Sequence, residues 1–147
     1  MLELPNSAGH VRVITGEYTG EYADEHGGAR GPAQTFTEMN VWDMVLHAGA
    51  ATSLQLPENH NLSMVVLRGD VAFNGEHAAH AGELVSFETQ SGAIQLQAGS
   101  EEVKILLLSG VPIDEPIVGY GPFVMNSADE IRQAIDDFNA GRFGRIG

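Results

Sequence analysis

The sequence predicts an all-β domain, a sandwich or closed barrel of antiparallel strands, that ends in one amphipathic helix. Three observations lead there. Apolar residues recur with period two in many short segments, Gly, Pro and Asn separate those segments at short intervals, and a helical period occurs only near the end.

The segments follow in order. Residues 11–18 (VRVITGEY) alternate Val11, Val13 and Thr15 against Arg12, Ile14 and Gly16. Residues 41–48 put Trp42, Met44 and Leu46 on one face, and residues 51–56 put Leu54 and Leu56 together. Residues 61–73 hold two strands interrupted at Arg68-Gly69-Asp70, and further strands cover 83–88, 93–97 and 103–109. Asn74-Gly75 is the pair favoured in a type I′ hairpin, because both central residues of that turn need positive φ. Ala81-Gly82, Ala98-Gly99 and Ser109-Gly110 punctuate the later strands. Residues 21–32 (EYADEHGGARGP) are polar, rich in glycine and without period, and read as an exposed, mobile loop.

Residues 112–126 (PIDEPIVGYGPFVMN) are apolar without a helical period, and their prolines favour a rigid, extended path. Tyr120, Phe123 and Met125 are large enough to need cover. Ser127 and Glu130 then form a capping box, and Asp129 and Glu130 complement the positive end of a helix dipole. Ile131, Ala134, Ile135 and Phe138 make one apolar stripe, and Gly141 is placed to stop the helix. The expected organisation is a β-barrel over 1–111 and a tail with helix over 112–147.

Composition bounds the function classes. The chain has 147 residues, 43% of them hydrophobic and 18% charged, a globular balance. Its 20 acidic and 7 basic residues leave a net charge of −13, which disfavours nucleic acid and anionic membrane surfaces. Cysteine is absent, so thiolate metal sites, thiol nucleophiles and disulfides are excluded. A chain without disulfides suits a reducing compartment, and residues 1–10 show no secretory pattern; the expected location is the cytoplasm. No apolar run approaches the roughly 20 residues needed to span a bilayer. There is no Gly-x-Ser-x-Gly elbow and no P-loop. Gly27-Gly28-Ala29-Arg30-Gly31 is a weak phosphate cradle, with Arg30 better read as a solvated loop residue, and Asp136-Asp137 read as a solvated helix face.

Three stretches together resemble the pirin family. They are residues 11–37, with VRVITGEY and GARGPAQTFT, residues 48–75 (AGAATSLQLPENHNLSMVVLRGDVAFNG), and residues 115–144 (EPIVGYGPFVMNSADEIRQAIDDFNAGRFG). The third, with YGPFVMN before a helix and GRFG after it, is the most specific. Pirins are bicupins of about twice this length, and this chain resembles their carboxy-terminal cupin. The resemblance implies a cupin-type barrel of two packed antiparallel sheets. It also implies that the family's metal, usually iron, and its quercetin dioxygenase or transcriptional-cofactor roles belong to the amino-terminal half.

The cupin pattern sets two histidines one residue apart, a glutamate four or five residues on, and a third histidine on a later strand, which leaves iron open positions for oxygen or substrate. Mapped on this chain, the first position is His60. The second falls on Leu62, the glutamate on Val66 or Leu67, and the third histidine near Ala93. One donor remains of four. Among the other histidines, His77 and His80 stand three apart on a strand and therefore face opposite sides. His47 reads as a rim residue, His26 sits beside Asp24 and Glu25 in the Gly-rich loop, and His10 reads as part of the N-terminal tail. A set converging from His26, His47 and His60 stays open.

The sequence therefore supports a cupin without a metal of its own, acting as an assembly or protein-interaction module. Tyr120, Phe123, Met125, Ile131, Ile135 and Phe138 are its expected interface, toward a second copy or an amino-terminal pirin cupin. The alternatives are an iron- or other divalent-metal-dependent dioxygenase of the quercetinase type and a small-molecule-binding barrel.

Overall fold

Side-chain alternation makes two facing sheets of the first 112 residues. The computed structural model describes residues 1–18, 28–88 and 92–144 and divides into two units, Met1–Pro112 and Ile113–Gly147. In the first unit, β1 (Leu2–Glu3), β2 (Gly9–Thr15), β5 (Met39–Leu46), β7 (Asn61–Arg68), β10 (Leu84–Phe87) and β12 (Val103–Gly110) form a six-stranded sheet in the order β1-β2-β5-β12-β7-β10. A four-stranded sheet runs β6 (Ala51–Gln55), β11 (Ala93–Ala98), β8 (Asp70–Phe73) and β9 (His77–His80). A two-stranded ribbon pairs β3 (Glu17–Tyr18) with β4 (Ala29–Arg30). The strands pair antiparallel, as a cupin barrel requires.

The inward residues are the ones the alternation marks. Trp42, Met44 and Leu46 of β5, Leu62, Met64 and Val66 of β7, and Val103, Ile105 and Leu107 of β12 are buried. They meet Leu54, Val71, Phe73 and Leu96 of the other sheet in one core. Trp42 packs on Tyr18 with ring centroids 5.1 Å apart. Its Nε1 and the hydroxyl of Thr52 are buried without a hydrogen-bond partner among the described residues. The Oδ1 of Asp43 also lacks a hydrogen bond, but it stands 3.4 Å from Lys104 Nζ, and its Oδ2 meets Arg12 at 3.0 Å, so the carboxylate is compensated.

The turns follow their residues. Asn74 and Gly75 have φ of 52° and 72°, and Glu76 N–H closes the turn on the Phe73 carbonyl at 3.1 Å. Gly69, at φ +74°, separates β7 from β8, and a Cβ there would meet the Glu102 carbonyl oxygen at 2.7 Å. Three expectations need correction. His10 is not in a tail: it lies in β2 opposite Val45, because the chain already pairs at Leu2–Glu3. Ala29–Arg30, read as loop, is strand β4; residues 21–27 of that predicted loop lie outside the described residues. The tail over 112–126 is not merely extended: β13 (Val118–Tyr120) and β14 (Phe123–Met125) form a hairpin that turns at Gly121, φ 56°.

In the second unit, α1 (Ala128–Asn139) starts at the capping box. The Ser127 hydroxyl accepts from Glu130 N–H at 3.3 Å. The Glu130 carboxylate reaches back to Asn126 N–H at 3.1 Å and accepts the Ser127 hydroxyl proton at 2.9 Å, so the return bond falls one residue earlier than the usual box. Ile131 and Ala134 are buried, while Phe138 is 62% exposed in a cluster of edge-to-face rings with Phe123 and Phe143. No helix among the described residues is long and apolar enough to cross a membrane. Ser127→Ala removes the cap and one of the two hydrogen bonds that hold the Glu130 carboxylate. We expect a loss of about 1 kcal/mol in α1 stability, seen as faster amide exchange in its first turn with the barrel amides unchanged.

Candidate functional site

Three of the buried polar residues, Asn40, His60 and Ser109, converge at one end of β5, β12 and β7. Ser109 of the central strand β12 is the register partner of Asn40 on one side and Leu62 on the other. Asn40, Ser109 and His60 are all buried, with His60 8% exposed. Asn59, at φ 71°, turns the chain just before β7, and His60 shares the inward phase of Leu62, Met64 and Val66.

These side chains form a hydrogen-bonded series. Glu17 N–H donates to Asn40 Oδ1 at 3.0 Å, Asn40 Nδ2 donates to Ser109 Oγ at 3.1 Å, and Ser109 Oγ lies 3.2 Å from His60 Nδ1. The order is directional as far as Ser109. A backbone N–H must meet an acceptor, which fixes the Asn40 amide, so Ser109 accepts from Nδ2 and has one lone pair and one proton left for the imidazole. Which of Ser109 and His60 donates in their contact follows the imidazole tautomer. Gly16, at φ +79°, leaves room for this: a Cβ there would sit 2.0 Å from Asn40 Oδ1 and 2.5 Å from the Met39 carbonyl oxygen.

His60 lines two clefts. One, of about 1090 Å³, lies among Leu56, Leu62, Phe73, Phe87 and Ile94, with Glu76, Glu83 and Glu88 also on its walls. The other, of about 860 Å³, is lined by polar residues that include Thr15, Arg30, Gln34, Thr37 and Asn40. Arg30 is exposed, as the sequence led us to expect, but it stands on strand β4 at a cleft wall rather than in a loop.

The other candidate donors are dispersed. His47 is exposed, and its backbone N–H donates to Ala8 O at 2.9 Å; His26 lies outside the described residues. His77 and His80 are both exposed on β9. His77 lines the larger cleft, whereas His80 turns to Asp70, with Nδ1 2.8 Å from Oδ1, and its N–H donates to Glu83 Oε2 at 2.8 Å. The hydrogen bond that protonated His80 donates to the Asp70 carboxylate, then the charge of that carboxylate, raises the His80 pKa above the usual value.

A four-donor metal centre finds no match among the described residues of this barrel. Leu62 and Val66 are buried apolar residues, Leu67 faces outward, and Ala93 is exposed at the start of β11. His60 is engaged through Nδ1, and no group of three His, Asp or Glu suited to a metal occurs among the described residues. Asn40 and Ser109 escaped the sequence reading. The signal was available: each is a polar residue in phase with buried apolar neighbours, Asn40 with Trp42 and Met44, and Ser109 with Leu107 and Ile105.

Two antiparallel sheets around one core, with an imidazole at the open end, define a cupin barrel. The chain belongs to the pirin family: the family profile for the pirin C-terminal cupin domain matches residues 41–144. A Pseudomonas aeruginosa protein provisionally named a quercetin 2,3-dioxygenase is 44% identical over 142 residues, covering 97% of this chain and 46% of that protein. The crystal structure of an Acinetobacter baumannii quercetin 2,3-dioxygenase superposes with a TM-score of 0.83 at 41% identity, over 99% of this chain and 48% of that one. Pirin-like protein 2 of Arabidopsis thaliana is 31% identical over 91% of this chain and 41% of its own length. The chain spans about half the length of the curated relatives it matches.

Ser109→Ala strands Asn40 Nδ2 and His60 Nδ1 together. We expect a loss of about 1–3 kcal/mol in urea unfolding. Asp70→Asn tests the exposed pair. A raised pKa means that protonated His80 is favoured in the fold, so its stabilisation is complete below the unfolded-state pKa and fades as pH rises through the folded one. In the variant the His80 titration, followed by NMR, should fall back toward 6.5, with only a small change in stability because the pair is exposed.

Proposed function

We propose that this chain is a pirin-type cupin that holds no metal of its own and acts as an assembly module. The observation that carries the reading is the donor set. Where a cupin centre needs converging imidazoles and a carboxylate, the barrel has Leu62 and Val66 beside a His60 committed to Ser109. The second unit supports the assembly role. It exposes Ile117, Tyr120, Val124, Phe138 and Phe143, a concentration of large apolar side chains of the kind that marks contact surfaces. Of the six expected interface residues, Tyr120 and Phe138 are exposed, Phe123, Met125 and Ile135 are half-buried, and Ile131 is already buried. We assign the surface to a two-fold pairing with a second copy, with an amino-terminal pirin cupin as the other occupant it would fit. The cysteine-free, acidic chain fits a cytoplasmic setting.

A second reading is favoured by the names of the relatives, several of them provisionally called quercetin 2,3-dioxygenases. In that reading a metal bound by this chain or by the other half of such a protein supplies the oxygen chemistry.

Metal analysis of protein purified without chelator separates the two. The module reading expects far less than one iron, nickel or copper per chain and no quercetin breakdown with added iron; stoichiometric metal with quercetin cleavage would establish the second reading instead. For assembly, sedimentation at micromolar concentration should show a dimer that Phe138→Asp shifts toward monomer. A wild-type monomer would remove the pairing.

A further inference from the structure

An antiparallel sheet with one face in water alternates apolar residues inward with polar residues outward. The four-stranded sheet follows that rule: Ser53 and Gln55 of β6 and Gln95 and Gln97 of β11 point away from the core and are exposed. The six-stranded sheet does not. Val41 and Val45 of β5, Val65 of β7, and Leu106 and Leu108 of β12 stand out of phase with the buried residues of their own strands, and they are half-buried. Leu84 of the edge strand β10 is 60% exposed. Strands that are apolar on both sides are the pattern of a sheet covered on both faces.

The register makes these outward residues contiguous. Leu106 is opposite Val65, and Val65 is opposite Leu84. Leu108 is opposite Val41. The patch therefore crosses from β5 through β12 and β7 to the edge of the sheet. At a spacing of about 4.8 Å, with up to eight residues of about 3.4 Å each, strands β2, β5, β12, β7 and β10 span a face of roughly 600 Å² in plan. That is the class of surface, about 800 Å² per partner, that stable complexes bury.

We infer that this outer face packs against the same face of a second copy about a two-fold axis, sheet on sheet. The inference rests on the assembly reading and adds a barrel surface to the same dimer. Charge selects a second copy over other occupants. The chain carries −13, yet on this face Arg12 and Lys104 both meet Asp43, at 3.0 and 3.4 Å, and Arg68, opposite Lys104, pairs with Glu102. Two acidic chains thus meet where their charges are already compensated, whereas a basic partner would be drawn to the acidic remainder of the surface.

Sedimentation and cross-linking of the full chain test this. Leu106→Glu puts a charge at the centre of the face and should raise the dimer dissociation constant about tenfold or more. Gln95→Glu, on the outer face of the other sheet, should leave it unchanged. The chain has no cysteine, so an introduced thiol reports its own position. Ser63→Cys, opposite Leu108, should give a covalent dimer with a short bismaleimide, and Ser53→Cys should not. The inference is overturned if a folded Leu106→Glu keeps the wild-type dissociation constant, or if Ser53→Cys cross-links as readily as Ser63→Cys. Should Leu106→Glu fail to fold, the two cysteine variants decide alone. A dimer weakened by Phe138→Asp but not by Leu106→Glu overturns this inference and keeps the assembly reading. A dimer weakened by Leu106→Glu but not by Phe138→Asp keeps the sheet contact and removes the second-unit surface; a wild-type monomer removes both.

Discussion

The register of β12 between β5 and β7 is the constraint on which the rest of the barrel depends. Its two-residue period turns Val103, Ile105 and Leu107 into the core and carries Ser109 to the same side at the strand's open end. Because Ser109 is opposite Asn40 on one neighbour and Leu62 on the other, one alignment fixes both the apolar packing and the polar series. A slip of one residue would reverse every side chain, putting Lys104 and Leu106 inward and the serine outward. Packing therefore enforces the hydrogen bonds: the apolar burial that selects the register, at roughly 25 cal/mol per Å², also delivers Ser109 to His60.

The same alignment decides which side chains fill the barrel without altering its fold. Inward positions on β7 are available to donors or to core residues alike, and here Leu62, Met64 and Val66 fill them. The superposition on half of the Acinetobacter baumannii enzyme, at a TM-score of 0.83, shows the shared scaffold. Fold and chemistry are separable in this way because a site consists of a few side chains on a scaffold that tolerates many others. The matched half-length of the relatives and the apolar surface on the second unit are what the proposed assembly role rests on.

Much of the fold was legible from local rules. Strands with strict alternation, the Asn74-Gly75 turn and the Ser127 cap need only neighbours in sequence to declare themselves. The misses were long-range. His10 looked like tail because its partner, Val45, is far along the chain. Ala29–Arg30 has no strand signature of its own and exists as strand because Glu17–Tyr18 lies beside it. The second-unit hairpin was hidden by prolines that made residues 112–126 look merely stiff. At the site, His60 was found because histidine is conspicuous. Asn40 and Ser109 were passed over as ordinary polar residues at strand ends, since only the three-strand register shows them meeting the imidazole.

An imidazole buried in a barrel without co-ligands has two nitrogens to satisfy, and an unmet polar group in such a place costs on the order of 1–3 kcal/mol. The protein meets one requirement internally. Ser109 Oγ meets Nδ1, Asn40 Nδ2 holds Ser109, and the Glu17 amide holds Asn40. The second nitrogen is met by access rather than by a partner, because β7 begins at Asn61 and leaves His60 at the barrel's open end, facing the clefts.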